Sequence, residues 1–203
     1  MAAKESTSRR RVVITGLGAI TNIGHTQEAC WQSIESGTSG IGRLTAFEQG
    51  DDWTVTIAGE IKDLEAHSAG TIDPSEAKRM DRMSVMALCA GQEAARHSGF
   101  DFESGDPYSR GVAIGSGIGG VITMEEQFSK LLLQGPRKVS PFTVPKLMVN
   151  AAAGNLSIMM DLRGANTATA TACASGAHSI GAAYHLIERG DAEIMLAGGT
   201  EAP

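Results

Sequence analysis

Residues 167–197 read TATATACASGAHSIGAAYHLIERGDAEIMLA. The alternating Thr and Ala from Thr167 to Thr171 predict a strand, and the stretch from Cys173 to Arg189 predicts a helix stopped by Gly190. The apolar run from Ala192 to Ala197 predicts a second strand. A strand, a helix and a strand in immediate succession make the unit from which a parallel sheet is built.

The same alternation extends back along the chain. Arg11 to Gly18 (RVVITGLG) is a short β-branched run ending in Gly, expected as a buried strand. Thr26 opens a helix to about Ser36, closed by Gly37. From Asp52 to Ile61, Trp53, Val55 and Ile57 alternate with polar residues, as a half-exposed strand requires. Asp73-Pro74-Ser75-Glu76 is a helix start, with Asp73 as cap, Pro74 at the first helical position and Glu76 placed for a capping box. The helix expected from it carries Met80, Met83, Ala87, Ala90 and Ala94 on one core-facing stripe and ends at Gly99. Arg110 to Ile114 is another apolar strand, leading into Gly115-Ser116-Gly117-Ile118-Gly119-Gly120 and a helix to about Gln134. Pro136, Pro141 and Pro145 mark a long loop, and Lys146 to Met160 reads as an Ala- and Met-rich helix. The expected class is therefore α/β with a mostly parallel sheet.

Bulk properties narrow the function. The chain has 203 residues, long enough for one sizeable domain, with 42% hydrophobic and 25 Gly residues. Its net charge of −6 argues against nucleic acid as a partner, because phosphate binding needs a basic face. Cys30, Cys89 and Cys173 form no C-x-x-C pair, which points to reduced thiols in a cytoplasmic protein and away from a disulfide framework or a metal site. No run approaches the length of a membrane span, so no membrane partner is expected. MAAKESTSRRR is polar and basic without an apolar stretch behind it, and residues 1–9 are expected as a disordered start preceding a domain over 10–203.

Chemistry concentrates at Cys173. A strand feeding this thiol into the first turn of a helix places it at free backbone N–H groups and at the positive end of the helix dipole, both of which favour thiolate. The same N–H groups suit the oxyanion of an attacked thioester. Ala172, Ala174, Ser175 and Gly176 are small and leave room for an acyl chain. The alternative is a buried structural cysteine, the commoner fate of an isolated thiol.

VVITGLGAITNIG, AIGSGIGG, GPRKVSPFTVPKLMVNAAAGNLSI, TATACASGAHSIG and AEIMLAGGTEA follow one another in the order and spacing of the N-terminal half of the β-ketoacyl-[acyl-carrier-protein] synthases. The chain resembles the elongating KAS II type of that family over residues 10–203. The resemblance implies a thiolase-like fold, in which two similar halves pack in α-β-α-β-α layers and dimerise. It implies Cys173 as the residue that takes an acyl group from acyl carrier protein before a decarboxylative Claisen condensation with malonyl-ACP. No cofactor is implied, since the thioesters supply the activation. Ile118 matches a residue that gates the acyl pocket, Thr143 one that lines its far end near the dimer interface, and Lys78 and Arg79 positions that contact the carrier.

The resemblance is to half of such an enzyme. The family's two further His and a Lys belong to its second half, and none of His25, His67, His97, His178 or His185 lies in the corresponding motifs. His178 follows Cys173 by five residues, about 140° round a helix, and reads as a packing histidine. The 203 residues alone are therefore expected to accept an acyl group without condensing it. The apolar last strand followed by GGTEAP makes the sequence look cut.

Competing readings are a truncated, non-catalytic fragment or paralogue that binds carrier protein or a partner subunit, and a polyketide ketosynthase. Gly115 to Gly120 also satisfies G-x-G-x-x-G, but Arg137, Lys138 and Ser140 occupy the region where a dinucleotide site needs an acid. Lys78, Arg79 and Arg82 form a basic spot suited to an acidic carrier. Cys30 and Cys89 are expected to be inert.

Overall fold

The computed structural model describes residues 9–203; of the expected disordered start, residues 1–8 lie outside the described residues. In chain order the elements are α1 (Gln27–Glu35), β1 (Gly42–Arg43), β2 (Ile57–Ala58), α2 (Leu64–Ser68), α3 (Pro74–Ala77), α4 (Arg82–Ser98), β3 (Arg110–Gly115), α5 (Val121–Gln134), α6 (Thr143–Leu147), α7 (Ala151–Met159), β4 (Asn166–Thr167), α8 (Ser175–Arg189) and β5 (Ile194–Gly199).

The centre is a three-stranded parallel sheet in the order β4-β3-β5. Every residue of β3 is buried, as a parallel strand covered on both faces requires. Side chains alternate across a strand. Val112 and Ile114 join Met83, Leu88, Ala152 and Leu156 in the core formed with α4 and α7. Residues of the opposite parity face α8, which packs on β3 and β5. The α/β class and the parallel sheet are as the sequence indicates.

Close approach dictates one residue of this arrangement. A Cβ on Gly115 would lie 2.5 Å from the Ser175 carbonyl oxygen and 2.8 Å from the Ser179 hydroxyl. The first turn of α8 therefore rests directly on the end of β3, and only Gly fits between them.

Several expected elements differ. Arg11 to Gly18 is not a strand, and Val13 and Ile14 are 61% and 81% exposed. The segment lies along α4, with the Leu17 amide donating to His97 Nδ1 and the Ala19 amide to Glu93 Oε2. A strand needs a partner edge, and here two amides at the end of the segment go to side chains of a helix instead. The stretch Asp52–Ile61 shortens to β2, paired antiparallel with β1, and Trp53 packs on Phe47 in the open.

The long helix expected from Asp73 is two helices. Asp73 caps α3 through the Ser75 amide, but Glu76 pairs with Arg79 and closes no capping box. The chain breaks and restarts because Asp81 becomes the cap of α4, its Oδ1 accepting from the Met83 amide. The helix expected over Lys146–Met160 is likewise divided into α6 and α7.

Asp81 also holds the next layer. It is 2% exposed, and its Oδ2 accepts from the amide and hydroxyl of Thr123, so one carboxylate caps α4 and secures the first turn of α5. Asp81→Ala leaves a buried hydroxyl and two amides without an acceptor. The expected loss is about 3 kcal/mol of stability, read as a lower urea midpoint with unchanged slope.

Candidate active site

Cys173 stands on a turn two residues ahead of the first residue of α8, not within the helix as the sequence suggested. The cause is Ala172, whose φ of +50° is left-handed and cannot belong to the helix that follows. Ser175 secures this strained turn: its buried hydroxyl donates to the Ala172 carbonyl at 2.6 Å and accepts from the Thr171 amide at 2.8 Å. The Ala174 amide donates to Thr171 O and the Ser175 amide to Ala172 O, at 3.1 and 3.0 Å.

The sulfur is thus carried at the exposed apex of a pinned turn, at a helix N-terminus that no side chain caps. Cys30 and Cys89 are buried. Burial pushes the Cys89 thiol up, against a smaller opposing effect of the Thr71 hydroxyl. Of the three thiols, Cys173 alone is open to a reagent the size of a thioester.

His178 does not pack in the core. It is exposed, and its Nδ1 lies 2.7 Å from the Thr171 hydroxyl, tying the second turn of α8 to the chain before the nucleophile.

The glycine-rich turn after β3 meets this site. A Cβ on Gly117 would lie 3.2 Å from Ala172 Cα, so the two turns are in contact. Ile118, 53% exposed, sits at the tip of the first turn. The Gly120 amide then donates to Leu147 O at 3.0 Å, joining the turn to the end of α6. Thr143 opens α6, and its hydroxyl donates to Ser140 O at 2.6 Å. Ile118 is therefore brought beside the nucleophile's turn, whereas Thr143 connects to it only through α6.

Lys78 and Arg79 are exposed in the break between α3 and α4. Arg79 is ion-paired with Glu76 at 3.1 Å, and its guanidinium lies 5.5 Å from the centre of the Phe142 ring, beside Thr143. Arg82, read as a member of the same basic spot, instead donates to the Ile61 carbonyl from a half-buried position and belongs to the scaffold.

Sequence reasoning passed over Glu201. Its carboxylate accepts from the Gly117 amide at 2.7 Å and from the Ser116 hydroxyl at 3.1 Å. The pattern GGTEA marked the segment but gave no sign of a contact 84 residues away.

A cavity of about 710 Å³ lies apart from Cys173, lined by Asn22, His25, Arg43, Glu60 and Lys62 among others. Its Glu60 carboxylate is already engaged by the hydroxyl and amide of Thr45 and the amide of Ala46, and the Thr45 hydroxyl holds it below the ordinary carboxylate range. Among the described residues no three His, Cys, Asp or Glu side chains group as metal ligands, and no helix is long and apolar enough to cross a membrane.

Residues 9–203 match the family described as Beta-ketoacyl synthase, N-terminal domain. The 3-oxoacyl-[acyl-carrier-protein] synthase 2 of Staphylococcus aureus (strain COL) is 43% identical over 196 residues, which cover 96% of this chain and 46% of that protein. A protein of the same name from Synechocystis sp. is 42% identical, with 96% and 46% covered. Among solved structures, a Beta-ketoacyl synthase from Burkholderia phymatum STM815 superimposes with a TM-score of 0.81 at 30% identity, over 94% of this chain and 47% of that one. A type II PKS acyl-carrier protein in complex with its ketosynthase gives a TM-score of 0.76 at 26% identity, over 96% of this chain and 51% of the other. The chain thus spans about half the length of the curated relatives it matches, and the thiolase-like architecture holds for the part it spans.

Proposed function

Because this chain belongs to the β-ketoacyl synthase family, whose N-terminal domain it matches over residues 9–203, we propose that it supplies the nucleophile of a carrier-dependent condensing enzyme of fatty-acid synthesis. One observation carries the reading: Cys173 is held exposed, by a strained and hydrogen-bonded turn, at the uncapped N-terminus of α8.

The sulfur attacks the carbonyl of an acyl thioester, and the N–H groups of the first turn beyond Ser175, whose own amide is bonded to Ala172 O, donate to the developing oxyanion. Collapse expels the carrier's pantetheine thiolate, which takes a proton, and leaves an acyl-Cys173 thioester. Loss of carbon dioxide from malonyl-ACP gives an enolate whose carbon attacks that thioester, and the thiolate of Cys173 leaves. The enolate needs donors of its own, and His178 is committed to Thr171. In this reading those donors come from outside the 203 residues, and the chain by itself stops at the acyl-enzyme.

Ile118 serves as the gate, since its turn touches the turn of Cys173, and Thr143 borders the far end of the same pocket. Lys78 and Arg79 receive the acidic carrier. Charge reversal at Lys78 and Arg79 (to Glu) is expected to weaken carrier binding by about tenfold, with the effect fading as salt rises. A loss that persists at high salt contradicts electrostatic docking.

A second copy of the chain is the partner we assign to the outward face of α5 and α6. There Phe128, Leu132, Leu133 and Val144 are 59%, 78%, 82% and 60% exposed. The three free thiols fit the reducing cytoplasm. The fatty-acid reading is preferred over the polyketide one because the relatives near 43% identity are named 3-oxoacyl-[acyl-carrier-protein] synthase 2, whereas the type II PKS ketosynthase complex stands at 26%.

The test is direct: incubation with an acylated carrier protein is expected to add one acyl mass to the tryptic peptide that contains Cys173. An unmodified Cys173 with acylation elsewhere, or no transfer at all, removes the proposal.

A further inference from the structure

We propose that Glu201 is a positioning residue for Ile118, its carboxylate holding the Gly117 amide directly and the Gly119 amide through the Ser116 hydroxyl, on either side of the gate. The inference rests on the reading of Ile118 as the gate and assigns what sets its position.

Ile118 is not fixed by burial, since it is 53% exposed at the tip of its turn. What fixes it is hydrogen bonding on either side. The Gly117 amide donates to Glu201 Oε2 at 2.7 Å. The Gly119 amide donates to the Ser116 hydroxyl at 2.9 Å, and that hydroxyl donates to Glu201 Oε1 at 3.1 Å. One carboxylate thus holds Gly117 directly and Gly119 through Ser116, which is 1% exposed. Bonds to an ionised acceptor are the stronger kind and favour a single geometry.

Glu201 is itself well placed to do this. The preceding residue, Thr200, donates its amide to Gly115 O at 3.0 Å and its hydroxyl to Met83 O at 2.7 Å. The following residue, Ala202, is buried. Anchors on both sides therefore aim the carboxylate at the turn. The turn in its place touches Ala172, next to the nucleophile. Release of the clamp lets Ile118 swing away from the turn that carries Cys173 and admit longer chains.

The experiment compares rates of Cys173 alkylation by iodoacetamide and by N-dodecyl iodoacetamide, followed on the Cys173 peptide by mass spectrometry. The ratio of the long-chain rate to the short-chain rate reports the gate; the iodoacetamide rate alone reports the integrity of the nucleophile's turn. In Glu201→Ala the ratio is expected to rise about fivefold, the effect of one net hydrogen bond, with the iodoacetamide rate little changed. Glu201→Gln keeps a carbonyl for the Gly117 amide and is expected to restore most of the original ratio. Ser116→Ala, which removes only the relay to Gly119, gives an intermediate rise and serves if Glu201→Ala fails to fold.

An unchanged ratio in the Glu201 and Ser116 variants, while Ile118→Ala shifts it, overturns the clamp and leaves the gate standing. No shift in Ile118→Ala removes the gate, and the clamp with it. Both alkylation rates falling together mark a merely structural role and likewise overturn the proposal.

Discussion

Cys173→Ala is expected to abolish acyl transfer, with no acyl adduct at any time at which the parent protein is fully loaded, a loss of at least about a thousandfold. The residue carries the bond that forms, so nothing else on its turn substitutes for it: Ala172 and Ala174 have no nucleophile, and the Ser175 hydroxyl is buried between the Ala172 carbonyl and the Thr171 amide. Alanine is close to cysteine in size, and Cys173 is exposed, so stability is expected to stay within about 0.5 kcal/mol of the parent. Cys30→Ala and Cys89→Ala serve as controls. Both thiols are buried, and both variants should load in full once account is taken of any lost stability. Intact mass separates the cases. An undiminished adduct in Cys173→Ala means that the nucleophile lies elsewhere, and the functional reading falls.

The sequence showed the fold wherever short-range signals decide it. The apolar run at Arg110, the helix closed by Gly190 and the strand before GGTEA all correspond to elements of the structure, within two residues at most ends. It misled where a long-range partner decides. Arg11 to Gly18 has the composition of a buried strand, but pairing depends on an available edge, and His97 and Glu93 of α4 take the amides of Leu17 and the adjoining Ala19. The break before α4 depends on Asp81, whose side chain caps the helix and reaches Thr123, 42 residues on. Composition cannot announce such a contact.

The site divides in the same way. Cys173 was legible because a run of small residues entering a helix is a local pattern, although the strand expected over Thr167–Thr171 is only Asn166–Thr167 and ends six residues short of the thiol. Its displacement by two residues was not, because nothing about Ala announces a left-handed φ; Ser175 and the contact with Gly117 hold Ala172 there. The role of Glu201 joins segments at opposite ends of the sheet's sequence and becomes visible only when β5 lies parallel to β3.

The packing of α8 on β3 gives the second large effect. Gly115→Val is expected to destabilise the protein by about 3 kcal/mol, at the upper end for forced overpacking, and to disturb the nucleophile at the same time. The added Cβ would stand 2.5 Å from the Ser175 carbonyl oxygen and 2.7 Å from its carbon. These are backbone atoms of the first turn of α8, not the free end of a side chain. β3 cannot retreat, because β4 and β5 pair with it on both edges and its residues are fully buried. The relief left is for α8 to lift, and Ser175 then loses its hold on Thr171 and Ala172. A lower urea midpoint should therefore come with an altered rate of Cys173 alkylation. Gly181→Ala, on the same helix, gives the opposite sign. Nothing lies within 4 Å of its added methyl group, and a helical Gly replaced by Ala is worth about 0.5–1 kcal/mol of stability. Stabilisation at Gly181 with destabilisation at Gly115 locates the effect in the contact with β3. Equal tolerance of both substitutions would mean that α8 does not rest on the sheet as closely as the Ser175 contact requires.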